Sequence, residues 1–310
     1  MIFIDNTTAG DLACSTKAWL RHVKQRVMAD SVNEPMLVGQ AMHEMLAAYL
    51  TGSTVGETLQ VLRSAYNEKI SWVPESERLQ GQMVEQIARY WLLAHPRPQF
   101  PEVLMTEQVF ETALTEDITF WGIIDAIVRY PDGSVYIMEH KTTSTIDSLW
   151  ERQWNFSSQL IGYQVAARQL WPQLNIAGVV VNAIAMTKLP PYDGNLQKKC
   201  QKHKVKYEEC QSLHMQSKIV GPFSYSEKQI EQWRHTMIEK ARQLRVLQYM
   251  HNDLNVQHIP MEGLFTFDMS SRGNMCNSCM YKQFCMTGRP PEAIERVMQH
   301  ETWTLETARL

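Results

Sequence analysis

Gly122-Ile123-Ile124-Asp125-Ala126-Ile127-Val128-Arg129-Tyr130, then Pro131-Asp132-Gly133, then Ser134-Val135-Tyr136-Ile137-Met138-Glu139-His140-Lys141-Thr142-Thr143 is the stretch on which the reading turns. Two runs rich in β-branched and aromatic residues flank a Pro-Asp-Gly turn, the signature of a hairpin. Paired hairpin strands bring Asp125 and Glu139 side by side, and the two-residue period of a strand sets Lys141 on the same face as Glu139. Two carboxylates and an ammonium in that arrangement form a hydrolytic constellation. Hard oxygen donors suit Mg2+ or Mn2+, which activates a water and screens charge on a phosphate under attack. A Glu-x-Lys on a strand is by itself usually a surface ion pair; the apolar strand carrying Asp125 sets this one apart.

Working outward, a third strand is expected over Glu102 to Leu114, and the hairpin strands over Thr119 to Tyr130 and Ser134 to Thr143. Apolar residues at helical spacing predict helices over Pro35 to Leu50, Val55 to Ile70 and Glu75 to Ala94. After the hairpin come a helix from Phe156 to Trp171 and an apolar strand from Gly178 to Met186, the latter buried on both faces. Residues 190–222, rich in Lys, Gln and Pro, read as an insertion or mobile loop. A long helix from Ser226 to Met250 then presents Ile230, Trp233, Met237, Ala241, Leu244 and Leu247 on one face. The order predicts an α/β fold with a mixed sheet.

Three further features carry chemistry. Gly39-Gln40-Ala41-Met42-His43 opens onto a helix, where the His43 imidazole is either a core residue or a neutral metal ligand. Gln159 and Tyr163 lie one turn apart on the helix after the hairpin. Cys14 near the start, with Cys276, Cys279 and Cys285 spaced C-x2-C-x5-C near the end, would give four thiolates for an iron-sulfur cluster or a structural zinc. A separate set, Cys200, His203, Cys210 and His214, has the donor types of a zinc site, although its loop is cramped and lysines around it oppose a cation.

Composition excludes several classes. The formal net charge of −3 gives no global attraction to nucleic acid, so contacts must come from local patches. The segment Lys198 to Lys206 and the face carrying Lys17, Arg21 and Lys24 are such patches, or else solvated helix faces. Six cysteines in 310 residues do not make a disulfide scaffold, and the N-terminus lacks the basic start and apolar run of a secretory signal, which places the chain in a reducing cytoplasm. The run from Ala177 to Met186 falls far below the roughly 20 residues of a membrane span. No G-x-x-x-x-G-K-[ST] motif occurs, so no ATP-driven motor is encoded.

In order, G-x-x-x-H, G-x-x-D, E-x-K-T and Q-x-x-x-Y resemble the RecB-like branch of the PD-(D/E)XK nuclease superfamily, and the four terminal cysteines resemble its iron-sulfur members, such as the AddB nuclease domain and the CRISPR-associated RecB-like exonucleases. The resemblance implies a PD-(D/E)XK nuclease core, a mixed central sheet flanked by helices, over 35–189. It implies a 1–34 N-terminal segment, a basic insertion or loop over 190–225, and a 226–310 C-terminal helical region, with the two helical ends joined by the metal cluster. His43, Asp125 and Glu139 are implied as metal ligands together with the backbone carbonyl of His140. Lys141 is implied as the catalytic lysine, and Gln159 and Tyr163 as braces for the carboxylates or the DNA backbone. Cys14, Cys276, Cys279 and Cys285 are implied to hold a structural [4Fe-4S] cluster, with structural zinc as the alternative. The implied activity is Mg2+- or Mn2+-dependent cleavage of DNA, exonucleolytic on ends or single strands, in repair or recombination, beside a separate helicase or recombination partner. The rival is an inactive DNA-binding or assembly subunit on the same fold.

Overall fold

The computed structural model describes residues 1–28, 34–70, 81–186, 199, 204–206, 215–253, 276, 279–288 and 291–304. In chain order the elements are β1 (Ile2–Ile4), α1 (Asn6–Asp11), α2 (Ser15–Ala18), a π turn (Trp19–Val23), β2 (Arg26–Met28), α3 (Glu34–Leu50), α4 (Val55–Ile70) and α5 (Gly81–Ala94). They continue with β3 (Glu102–Ala113), β4 (Ile118–Arg129), β5 (Val135–Thr143), α6 (Ser148–Arg152), α7 (Ser158–Leu170), β6 (Gly178–Met186), β7 (Met215–Phe223), α8 (Glu227–Asp253), α9 (Lys282–Met286), α10 (Pro291–Val297) and β8 (Met298–His300). Contacts divide the chain into two units: residues 1–32, 110–122 and 227–310 form one, and residues 33–109 and 123–226 the other.

The second unit carries the mixed sheet. β4 and β5 pair antiparallel, β5 and β6 parallel, and β6 and β7 antiparallel, with β3 on β4. Gly133, at φ 85°, closes the hairpin in a backbone region that other residues enter only with strain. β6 is apolar apart from Asn182 because both its faces are covered: Val179 to Ala185 are all buried. Burial of each such Val or Ile is worth about 1.5–3 kcal/mol, which makes β6 the strand around which this unit is built. Helices α3, α5 and α7 pack against the sheet. α3 buries Leu37, Val38, Ala41, Met42, Met45, Leu46 and Tyr49, the side its apolar spacing predicts.

β7 departs from the expected loop over 190–222. Its outward residues Gln216 and Lys218 are polar, and it holds the end of the strand order, where backbone pairing to β6 suffices without an apolar run. Of the remaining segment, Lys199 and Lys206 form an antiparallel bridge, while Cys200, His203, Cys210 and His214 lie outside the described residues. The expected helix start at Glu75 also lies outside them.

In the first unit β1 runs parallel to the start of β4, and β2 pairs antiparallel with β8. The face of α8 that buries Ile230, Trp233, Met237, Ala241, Leu244 and Leu247 is the expected one, and the Trp233 ring meets Phe120 edge-on at 5.0 Å. The basic face expected after Cys14 is corrected. Lys17 lies 2.6 Å and Arg21 3.2 Å from the carboxylate of buried Asp11, which His22 also contacts at 2.9 Å. A buried carboxylate is tolerated only with such partners, so these two cations are committed to Asp11. Among the described residues no helix is long and apolar enough to cross a membrane.

Candidate active site

The carboxylates converge because of strand register. Ala126 pairs with Met138, so one step further sets Asp125 across from Glu139, and the His140 N–H donates to Asp125 Oδ2 at 2.7 Å. Both side chains are buried, Asp125 at 8% and Glu139 at 1% exposure. Lys141, two residues on, places its ammonium 2.5 Å from Glu139 Oε1. The second oxygen, Glu139 Oε2, is buried and has no hydrogen-bond partner among the described residues.

His43 arrives from α3. A Cβ on Gly39, one turn earlier, would lie 3.0 Å from Thr142 Oγ1, so the glycine lets the helix approach the end of β5 closely. His43 Nδ1 then lies 3.3 Å from Asp125 Oδ1.

Glu107 is the residue that motif reading missed. Ligand atoms of His43, Glu107 and Asp125 all lie within 4.8 Å of one another, the group among the described residues in which three such donors gather. Glu107 has φ 47°, left-handed for a non-glycine residue, at a cost of about 1–3 kcal/mol. Beyond it β3 alternates cleanly, with Phe110 and Thr112 buried and Val109, Glu111 and Ala113 exposed. Straight alternation would assign Glu107 to the exposed set with Val109, so no periodicity could have found it. Glu139 is not a member of that three-donor group, which differs from the expected His43, Asp125 and Glu139 set by one carboxylate.

Charges in the site are mutually adjusted. Burial disfavours ionised Asp125, but the charge and hydrogen bond of His43 override it and hold this carboxyl well below the usual range. Glu139 is pushed up to about 7, by burial first and by Asp125 second, against the pull of Lys141. Like charges this close and this buried divide their protons unequally. His43 and Lys141 both rise despite burial, His43 through Asp125 and Lys141 through Glu139 and Asp125. Burial lowers His140 to about 4, so it is a neutral ring at physiological pH.

On α7 the Gln159 amide donates to the Tyr163 hydroxyl at 2.9 Å, joining those two side chains to each other. In the first unit Cys14 precedes α2, and its thiol makes no capping bond. Cys279 N–H donates to the Cys276 carbonyl at 3.3 Å and Cys285 N–H to the Tyr281 carbonyl at 3.0 Å. Buried Tyr281 in turn donates to the Arg26 carbonyl at 2.5 Å, which anchors the late cysteines to β2. Burial raises the Cys279 thiol, with the charges of Cys14 and Cys276 raising it further and Lys17 opposing. No three of the four cysteine sulfurs all lie within 4.8 Å of one another.

The donors fit a hard divalent cation: the His43 imidazole and the carboxylates of Glu107, Asp125 and Glu139, the last with a buried oxygen that has no hydrogen-bond partner among the described residues. A family model described as the PD-(D/E)XK nuclease superfamily matches residues 12–286. No curated protein matches the chain.

Proposed function

Because the chain belongs to the PD-(D/E)XK nuclease superfamily, a family of metal-dependent nucleases, we propose that it hydrolyses DNA phosphodiesters from ends or on single strands with Mg2+ or Mn2+. The observation that carries this reading is the gathering of His43, Glu107 and Asp125 donors beside Glu139 Oε2, a buried oxygen with no hydrogen-bond partner among the described residues. Asp125, Glu139, His43 and Glu107 would hold the cation, with the His140 carbonyl as a further donor. A bound divalent ion supplies Lewis acidity: it lowers the pKa of a water and screens charge on the scissile phosphate. Lys141 keeps a fixed positive charge beside Glu139, where it favours charge developing on the phosphate. The joined Gln159 and Tyr163 side chains brace either the carboxylates or the DNA backbone.

End-labelled linear and closed circular DNA, digested in parallel with Mn2+, test this reading. Linear DNA should be degraded from its ends while the circle survives; equal attack on both contradicts an exonuclease. A folded protein silent on both returns the rival, a DNA-binding subunit without activity.

For the cysteines we propose a structural [4Fe-4S] cluster held by Cys14, Cys276, Cys279 and Cys285. Support comes from the Cys279 thiol, which lies in the field of both Cys14 and Cys276 although Cys14 is remote in sequence. Four thiolates could hold either group, and the likeness of the C-x2-C-x5-C pattern to iron-sulfur nucleases favours the cluster over zinc. Such a cluster fits a reducing cytoplasm. Aerobically purified protein should be brown and contain iron and sulfide; a colourless protein with stoichiometric zinc contradicts the proposal. We propose that the nuclease works alone or beside a separate helicase or recombination partner.

A further inference from the structure

We propose that Asn182, oriented by Trp91, is a positioning residue of the cation site and acts through the ring of His140. The inference rests on the nuclease reading of that site and adds to it two residues outside its sequence motifs.

β5 and β6 are parallel neighbours in which His140 pairs directly with Asn182, so their side chains leave the sheet on one face and meet. Trp91, fully buried on α5, donates its indole N–H to Asn182 Oδ1 at 3.0 Å. An indole nitrogen only donates. It therefore compels the amide oxygen to face Trp91 and the amide NH2 to face His140. Asn182 Nδ2 lies 2.9 Å from His140 Nδ1, which must accept, leaving the ring proton on Nε2. One donor-only group thus sets both the amide orientation and the imidazole tautomer.

His140 meets the site at two points, through its backbone and through its ring. Its backbone N–H holds Asp125 Oδ2, and its ring meets His43 edge-on, with centroids 5.8 Å apart at 84°. Asp125 and His43 both belong to the three-donor group. A ring free to turn about its side-chain bonds would withdraw the surface against which His43 rests.

The placement of an amide here is itself informative. Asn182 is fully buried within Gly178-Val179-Val180-Val181-Asn182-Ala183-Ile184-Ala185-Met186, where packing alone would be served by another valine. An amide in such a strand costs free energy unless its bonds are made, and here they run to Trp91 on one side and to His140, beside the site, on the other.

Mn2+ binding to DNA-free protein, followed by electron paramagnetic resonance, tests the inference alongside thermal melting and DNA cleavage. Asn182→Leu keeps the branched shape but cannot donate, and should weaken Mn2+ binding roughly tenfold to a hundredfold, the usual effect of losing a partner behind a ligand. Under saturating Mn2+ the KM for DNA should stay unchanged. Trp91→Phe, which retains the packing, should shift Mn2+ binding in the same direction by less. In a His140→Phe background Asn182→Leu should add no further loss, because the residue through which it acts is gone. A folded Asn182→Leu protein with unaltered Mn2+ affinity overturns the inference, as do losses that simply multiply in the double variant. Should Asn182→Leu fail to fold, Trp91→Phe decides: folded with unaltered Mn2+ affinity, it overturns the inference too. If the unaltered protein neither binds Mn2+ nor cuts DNA, the nuclease reading falls and takes this inference with it; unaltered cleavage beside indifferent variants removes the inference alone.

Discussion

The ammonium of Lys141 lies 2.5 Å from one oxygen of Glu139, while the other oxygen of that buried carboxylate has no hydrogen-bond partner among the described residues. The two ends of Glu139 thus face different tasks. One is neutralised by a cation of the protein itself, and the other is a donor ready for a cation from solution.

This split predicts how pH acts on metal binding. Burial and Asp125 push Glu139 up to about 7, so below that pH a proton competes for the carboxylate. Mn2+ affinity should fall as pH drops through 7, by up to about tenfold per unit where one proton is displaced. Calorimetric titrations between pH 5.5 and 8.5 check this, and a flat profile contradicts it.

The same shift acts on stability with opposite sense. A carboxyl whose folded pKa exceeds its unfolded value of 4.5 contributes stability that is fully present below 4.5 and lost as pH rises through about 7. In metal-free protein Glu139→Gln should therefore raise the melting temperature at pH 8, on the order of 5 °C. The difference should close by pH 5.

Lys141→Met should separate binding from cleavage. Mn2+ binding should persist, since Lys141 is no donor to the cation, while cleavage falls by roughly 10²–10³-fold, as for loss of one fixed charge at a developing anion. Parallel loss of Mn2+ affinity and cleavage would show that Lys141 serves only to hold Glu139.

Glu107→Gln removes one donor of the compact group and relieves repulsion with Asp125. Mn2+ affinity should drop roughly tenfold or more. The melting temperature should stay level or rise, because a like-charge contact is lost. Unchanged Mn2+ affinity would remove Glu107 from the site.

Gly39→Ala has two opposed effects. Alanine favours the helix by about 0.5–1 kcal/mol, yet its Cβ would meet Thr142 Oγ1 at 3.0 Å. The melting temperature should hardly move while cleavage falls several-fold through displacement of His43, and adding Thr142→Ala should restore it.

Much of the scaffold was legible in the sequence for physical reasons. Expected and observed bounds of the three central strands agree to within one residue because β-branched runs end at a Pro-Asp-Gly turn on one side and at polar residues on the other. The apolar run of β6 and the stripe on α8 were equally plain. β7 was not, because a strand at the end of the order can carry Gln216 and Lys218 and still be held by backbone bonds. β1 is three residues long, too short for any period to register. At the site, His43 and Asp125 came into view through the order of their motifs, and the structure brings them to 3.3 Å. Glu107 stayed hidden behind a left-handed backbone that breaks strand alternation, and Asn182 looked like a mere interruption of an apolar strand. The commitment of Lys17 and Arg21 to Asp11 was invisible for a related reason: a partner six or ten residues away on a different short helix leaves no helical spacing to read.

The central claim is that Asp125 joins a cation to the cleavage of DNA, and a Mn2+ titration of cleavage with unaltered and Asp125→Asn proteins on end-labelled linear DNA tests it most directly. Cleavage by the unaltered protein should appear only with Mn2+ or Mg2+ and saturate with it, while folded Asp125→Asn should remain at background at every concentration. Cleavage that persists in a chelator, or an Asp125→Asn protein that cuts as fast as the unaltered one, would contradict the account.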